Sequence, residues 1–255
     1  MPSLLHSIKY CLPTMKGHLN TLVTSYLDEF LVLEDYECIK TKGFGPGFPK
    51  IDAFCLYMMI RHVKPKRYVE VGSGLSTYYC SLAAKKNKDE GFPLEITCIE
   101  PYPYEALYSI ESINIIKKKV QTVEPQFFNC LDSEDILFID SSHVVKIDGD
   151  VPFLYLEILP QLKKDVWVHI HDIPFPYNTP YPAQLWVLEK NWPMYWNEAM
   201  LVQAFLAFNT AFSIYLSTPL IRFHEETFLE TIIPFYESII VQPNTFSSLW
   251  IKKNT

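Results

Sequence analysis

Short apolar segments alternate with amphipathic segments through the middle of the chain. Apolar runs with the length of buried strands occur at Tyr68–Val71, Leu94–Ile99, weakly within Ile115–Thr122, and at Ile136–Asp140 and Val166–His171. Helices are expected between them, over Ser76–Lys86, around Tyr104–Ile110 and over Gly149–Gln161. Strands and helices that alternate in this way predict an α/β fold with a mostly parallel sheet between layers of helices.

The two ends of the chain add helices and closing strands to this unit. Helical spacing predicts helices over residues 3–12, 17–34 and 51–63, the last of which should end at Lys64-Pro65. A further helix is expected over Asn197–Phe208, with strands at Phe212–Leu216 and Leu249–Ile251. We therefore expect a helical N-terminal extension over residues 1–42 and a Rossmann-like domain with a seven-stranded sheet over residues 43–255.

A glycine turn follows the first predicted strand. Gly72 and Gly74 flank Ser73 there, although the chain contains only 8 glycines in 255 residues. Glycine permits a sharp turn and a close approach of the backbone to a ligand. The acidic residue Glu70 precedes the turn, so this strand end is expected to hold a nucleotide-like cofactor. The fingerprint of dinucleotide-binding folds needs a third glycine, and Thr77 occupies that position.

The run Glu70-Val-Gly-Ser-Gly-Leu-Ser76 resembles motif I of class I S-adenosylmethionine-dependent methyltransferases. The resemblance implies that Gly72, Ser73, Gly74 and Ser76 bind S-adenosylmethionine, with Glu70 near the ammonium end of the cofactor. Glu100 ends the second predicted strand, where an acidic residue accepts hydrogen bonds from ribose hydroxyls in related sheets.

Polar residues with acid/base or metal-binding chemistry follow the next two strands of the predicted sheet. Asp140 and His143 come after one strand, and His171 and Asp172 after the other. The carboxyl ends of parallel strands lie at one edge of a sheet, so we expect these side chains to converge with the cofactor. Two carboxylates and two imidazoles in one place predict a metal site or an acid/base site.

The spacing Asp140-Ser-Ser-His143, followed by Gly149-Asp150 and His171-Asp172, resembles the group that includes macrocin O-methyltransferases. The resemblance implies that Asp140, which also borders the cofactor, and Asp172 hold a divalent metal and that His143 is the general base. Magnesium prefers oxygen ligands, so His171 favours manganese or iron. A metal-free site, in which His143 and His171 act through hydrogen bonds, is the alternative.

Composition narrows the choice of partners. A net charge of −7 argues against nucleic acid, and no apolar run has the length of a membrane helix. The six cysteines are widely spaced, which indicates free thiols and a cytoplasmic location. The loop 42–50 is either a cover for the cofactor or a linker. The aromatic segment 174–193 is either a wall of the acceptor pocket or ordinary packing.

These patterns predict an S-adenosylmethionine-dependent methyltransferase that acts on a hydroxyl of a small acceptor, such as a sugar or a secondary metabolite. The alternatives are a methyltransferase-fold binding protein without catalysis, an NAD-dependent oxidoreductase, and a methyltransferase for proteins or peptides. The apolar faces of the N-terminal helices fit either a homodimer contact or packing within the chain.

Overall fold

A seven-stranded sheet forms the centre of the chain. The computed structural model describes residues 1–188, 194–238 and 246–255. The strand order is β3-β2-β1-β4-β5-β7-β6, and β7 is antiparallel to both of its neighbours. The strands are β1 Arg67–Val71, β2 Glu95–Ile99, β3 Ile113–Ile116, β4 Ile136–Ile139, β5 Trp167–Ile170, β6 Phe212–Ser217 and β7 Leu249–Lys253. This arrangement confirms the predicted α/β, Rossmann-like sheet.

The four parallel pairings bring the carboxyl ends of β1, β2, β4 and β5 to one edge of the sheet. Val71 pairs with Ile99 on one side and with Ile139 on the other, and Ile139 pairs in turn with Ile170. The residues that follow these four positions therefore lie next to one another. This register places the predicted site residues at the same edge.

Helices flank the sheet. They are α1 Leu12–Leu31, α2 Tyr36–Lys40, α3 Lys50–Val63, α4 Leu75–Asp89, α5 Asp150–Phe153, α6 Glu198–Leu206 and α7 Thr218–Ile232. The 3₁₀ turns are Glu105–Ser109, Val120–Thr122, Pro125–Cys130 and Leu159–Gln161, and the π turns are Leu154–Ile158 and Gln184–Leu188. Among the described residues, no helix has both the length and the apolar character that crossing a bilayer requires.

The N-terminal prediction was partly wrong. No helix covers residues 3–10, where Leu5 and Ser7 have left-handed φ angles of 48° and 66° that no α-helix contains. Helix α1 begins at Leu12 instead, because Pro13 suits the first turn of a helix, where its missing N–H is not needed.

The remaining differences concern helix type and one missed helix. The segment around Tyr104–Ile110 is a 3₁₀ turn, and the crossover predicted over Gly149–Gln161 changes from α to π to 3₁₀ geometry. Helix α7 was missed, although Pro219 marks its first turn and Leu220, Ile221 and Leu229 supply its buried side.

The N-terminal helices share one apolar core with the sheet domain. Helix α1 packs against α3, α7 and β6, and its residues Leu19 and Leu22 are buried. Helix α3 is buried from Ile51 to Arg61 and packs against α4. The packing of α1 within the chain explains its apolar face, while the boundary at residue 42 and a homodimer stay predictions.

Candidate functional site

The glycine turn after β1 is closely packed on both sides. A Cβ atom on Gly72, whose φ is 101°, would lie 2.7 Å from the Asp140 carbonyl oxygen after β4. A Cβ atom on Gly74, whose φ is 156°, would lie 2.7 Å from the carbonyl oxygen of Phe44. Only glycine fits either position without displacing backbone. The loop 42–50 therefore lies directly over the turn.

Glu70 and Ser76 hold the turn together. The buried Glu70 carboxylate accepts hydrogen bonds from the hydroxyls of Ser76 and Thr77, the latter at 2.8 Å. Burial raises the pKa of Glu70 to about 8, although the two hydroxyl hydrogen bonds oppose this shift. The side chains of Glu70 and Ser76 bond to each other in this structure. Their direct contact with a cofactor stays a prediction.

Two other predicted cofactor residues have free polar groups. The Ser73 hydroxyl is buried and has no hydrogen-bond partner within residues 1–188, 194–238 and 246–255. Glu100 follows β2, and its Oε1 accepts the backbone N–H of Tyr102 at 2.7 Å. Burial raises the pKa of this half-buried carboxyl. Unused hydrogen-bonding capacity on both sides of the glycine turn is what a polar ligand needs.

Asp140, His143, His171 and Asp172 converge as the sequence predicts. His143 Nε2 lies 3.2 Å from Asp140 Oδ1 and 3.5 Å from Asp172 Oδ2. His171 Nδ1 lies 3.5 Å from each of the same two carboxylates. His143 and Asp172 both have a φ of 58°, an uncommon conformation for residues other than glycine. Such strain clusters at functional sites, because the surrounding structure must maintain it.

Each of the two histidines is held from behind by a buried carboxylate. Glu198, in the first turn of α6, lies with its Oε2 2.8 Å from His143 Nδ1, and it accepts the hydroxyls of Ser141 and Tyr155. These contacts direct Nε2 of His143 towards Asp140 and Asp172. The sequence analysis did not find Glu198, although a single acidic residue beginning an apolar helix was an available signal.

Asp52 plays the same part for His171. This α3 carboxylate lies 2.9 Å from His171 Nε2 and accepts the backbone N–H of Ser247 at 2.9 Å and the hydroxyl of Ser248 at 2.7 Å. Asp52 was also missed; its signal was a carboxylate in a helix that is otherwise buried. The hydroxyl of Ser247 donates to Asp172 at 2.7 Å, so the strand β7 end supports both acids.

Two further residues lie beside the cluster. His169 is fully buried, stacks on Trp250 and contacts the Ser248 hydroxyl at 2.8 Å, so it is a core residue. Asp150 accepts the N–H and the hydroxyl of Ser142, at 2.7 and 2.6 Å. It thereby orients the loop that carries His143.

The site carries an excess of negative charge. Four carboxylates, those of Asp52, Asp140, Asp172 and Glu198, surround two imidazoles, so two negative charges remain even when both imidazoles are protonated. Burial lowers the pKa of His143, but hydrogen bonds to Asp140 and Glu198 and the charge of Asp172 raise it to about 10 overall. The arrangement is therefore suited to a cationic ligand.

A cleft opens beside the cluster. Its volume is about 520 Å³, and Leu75, at the start of α4, and Asp172 both line it. Most of its other walls are aromatic or apolar: Tyr36, Phe48, Trp186, Met194, Trp196, Phe235 and Phe246. Trp196 also packs against the His143 ring at 4.3 Å. Part of the segment 174–193 thus forms a wall, while Trp192 and Pro193 lie outside the described residues.

Residues 69–173, which run from β1 past the end of β5, match a family model described as a methyltransferase domain. Over these residues the chain is similar to methyltransferase domains. An uncharacterised protein of Archaeoglobus fulgidus is 34% identical over 123 residues, which are 45% of this chain and 54% of that protein. The chain thus spans about half the length of this relative. The match covers the glycine turn, so it favours a methyltransferase over an NAD-dependent oxidoreductase.

Two solved structures are similar to this chain. One is a protein from Klebsiella pneumoniae to which O-methyltransferase activity has been ascribed. It is 10% identical in sequence and has a TM-score of 0.51, and the alignment covers 94% of this chain and 100% of that protein. The other is an O-methyltransferase of Bacillus cereus in complex with S-adenosylhomocysteine. It is 11% identical and has a TM-score of 0.49, and the alignment covers 96% of this chain and 100% of that protein. At these identities the likeness concerns the fold alone, which is that of class I methyltransferases.

Replacing Glu198 with glutamine should lower the pKa of His143, because the substitution removes a negative charge that lies 2.8 Å from Nδ1. Histidine side-chain NMR as a function of pH measures this directly. We expect His143 to titrate near pH 10 in the parent protein and at least about one unit lower in Glu198→Gln. Glu157→Gln, on the exposed surface, is the matched control. Identical titration of His143 in all three proteins would contradict the assigned contact.

Proposed function

We propose that this chain is an S-adenosylmethionine-dependent methyltransferase that methylates a hydroxyl oxygen of a small acceptor. The observation that carries the proposal is the position of His143. Its Nε2 faces Asp140 and Asp172 at the sheet edge where the glycine turn ends β1, beside an aromatic cleft. A base, a cofactor turn and an acceptor cleft therefore meet at one place.

The cofactor would lie along the carboxyl ends of β1 and β2. Its amino-acid part would bind beside the sharp Gly72–Gly74 turn, where Ser73 offers a hydroxyl without a partner among the described residues. Glu100 would accept hydrogen bonds from the ribose hydroxyls, as acidic residues at this position of related sheets do. The positive sulfonium would then be close to the acidic cluster, which supports its binding.

The cleft favours a small acceptor. Its volume of about 520 Å³ and its aromatic lining suit the flat face of a sugar or of an aromatic metabolite. The acceptor hydroxyl would lie between His143 and the methyl group, near Asp172. Holding the two reacting atoms at close range supplies much of the rate, because it replaces an encounter in solution with a fixed geometry.

His143 is the proposed general base. Without a ligand, the raised pKa of His143 keeps its imidazole protonated. The imidazolium must therefore lose a proton from Nε2 before Nε2 can accept the proton of the acceptor hydroxyl. The sulfonium charge of the cofactor near Asp140 and Asp172 would oppose the imidazolium and lower its pKa. Glu198 keeps the ring oriented with Nδ1 turned away from the reaction.

The residues of the cluster also fit a divalent metal. Ligand atoms of Asp140, His171 and Asp172 lie within 4.8 Å of one another. His171 Nδ1 is buried and has no hydrogen-bond partner in the part of the chain that the structure describes. Asp52 holds Nε2, as carboxylates do behind metal-binding histidines. A nitrogen ligand favours manganese or iron over magnesium. Such an ion would polarise the acceptor hydroxyl and neutralise the two carboxylates.

The cofactor assignment predicts saturable binding of S-adenosylmethionine in isothermal titration. Glu100→Ala should weaken it at least about tenfold, because two ribose hydrogen bonds to a charged group are lost. Glu105→Ala, which removes an exposed glutamate five residues away, should leave the affinity unchanged. Failure of the parent protein to bind, or equal affinity in both variants, would contradict the assignment of Glu100.

The metal assignment predicts that chelator-treated protein binds one Mn²⁺, measured by electron paramagnetic resonance or calorimetry. Asp172→Asn should weaken this binding at least about tenfold, since a charged ligand becomes neutral. Asp148→Asn, in the exposed loop before α5, is the control. If the protein binds no Mn²⁺ and methyl transfer is indifferent to chelator, the histidines act without a metal.

A further inference from the structure

A second cavity lies on the far side of the loop that follows β5. It has a volume of about 220 Å³ and is enclosed by that loop and by the first turns of α7. Tyr177 and Tyr181, whose rings are stacked at 3.8 Å, form one side of it. Arg222 from α7 lines the other side. None of these residues belongs to the cluster around His143.

Arg222 carries a charge that is almost completely buried. Only 8% of the residue is exposed, and its buried Nη1 atom has no hydrogen-bond partner among the described residues. No ion pair joins it to any residue in the described part of the chain. The Phe246 ring packs against it, with the ring centroid 4.3 Å from the guanidinium carbon. A cation–π contact replaces little of the hydration that a guanidinium loses on burial.

The other buried arginine shows what a paired site looks like in this protein. Arg61 is 3% exposed, and its guanidinium donates to Glu29, Glu90 and the side chain of Asn87. Its charge is thus balanced by two carboxylates. Burying a charge without such partners is costly, so an anion would stabilise Arg222, which has no ion-pair partner in the described ranges.

Glu226 meets this demand only in part. It lines the same cavity and its charge acts on Arg222 from a distance, but its carboxylate accepts the Tyr236 hydroxyl at 2.7 Å and is not within ion-pair distance of the guanidinium. The cavity therefore combines one unpaired guanidinium with two tyrosine rings. A guanidinium binds carboxylates and phosphates through paired hydrogen bonds, and tyrosine rings pack against the organic part of a ligand.

We propose that this cavity binds the oxyanion group of a small molecule, a carboxylate or a phosphate, with Arg222 as its counter-charge. The site is independent of methyl transfer, since none of its residues is placed in the proposed reaction. Phe246 contacts Arg222 and also lines the acceptor cleft, so one ring borders both the oxyanion cavity and the cleft.

Calorimetric titration of the full chain with inorganic phosphate and, separately, with benzoate tests the proposal, at constant ionic strength with chloride as background. We expect saturable binding of at least one anion, and the stronger of the two identifies phosphate or carboxylate as the ligand group. Arg222→Met should weaken that binding at least about tenfold, since the paired hydrogen bonds and the charge are lost. Lys163→Met, which removes an exposed lysine charge, should bind as the parent does.

Thermal unfolding of the same proteins separates a binding role from a structural one. Without phosphate or benzoate, Arg222→Met should be at least as stable as the parent, because methionine fills the site without an unpaired charge. If Arg222→Met does not fold, Arg222→Lys keeps the charge but loses the planar fork and should still weaken binding. Absence of saturable binding by the parent, or undiminished binding by the variants, would overturn the proposal.

Discussion

The concentration of negative charge at one edge of the sheet is the constraint on which the rest of the site depends. Asp52, Asp140, Asp172 and Glu198 surround His143 and His171, and protonation of both rings still leaves two negative charges. Like charges at such short range are costly in a buried setting. A site of this kind is most stable with a cation in it. The proposed sulfonium cofactor, with or without a divalent metal, would supply that charge.

The fold holds the cluster in place from several distant elements. Parallel pairing brings the ends of β4 and β5 together, while α3 and α6 contribute the carboxylates behind the two rings. Asp150 and Ser247 orient the loops on either side. The glycine turn is fixed by Glu70 below and is covered by the loop that contains Phe44. The polar groups that follow the strand ends and the carboxylates on the helices therefore form one hydrogen-bonded assembly.

Local patterns were sufficient for the strands and for the four residues that follow β4 and β5. An apolar run that ends in Asp140 or His171 indicates a strand end. Parallel pairing of the strands then brings these ends to the same edge of the sheet. Local patterns could not predict the contacts of Asp52 and Glu198, because both are distant in sequence from their partners. Asp52 is 119 residues from His171, and Glu198 is 55 residues from His143. The false helix over residues 3–12 has a different cause: apolar spacing alone does not exclude the left-handed backbone of Leu5 and Ser7.

The structure of this chain with S-adenosylhomocysteine bound tests the central claim most directly. The account predicts that both ribose hydroxyls contact Glu100, that the amino-acid part lies over Gly72–Gly74, and that the sulfur faces His143 and Asp172 at the mouth of the cleft. A cofactor that binds elsewhere, or one whose sulfur is separated from His143 by the loop 42–50, would contradict it.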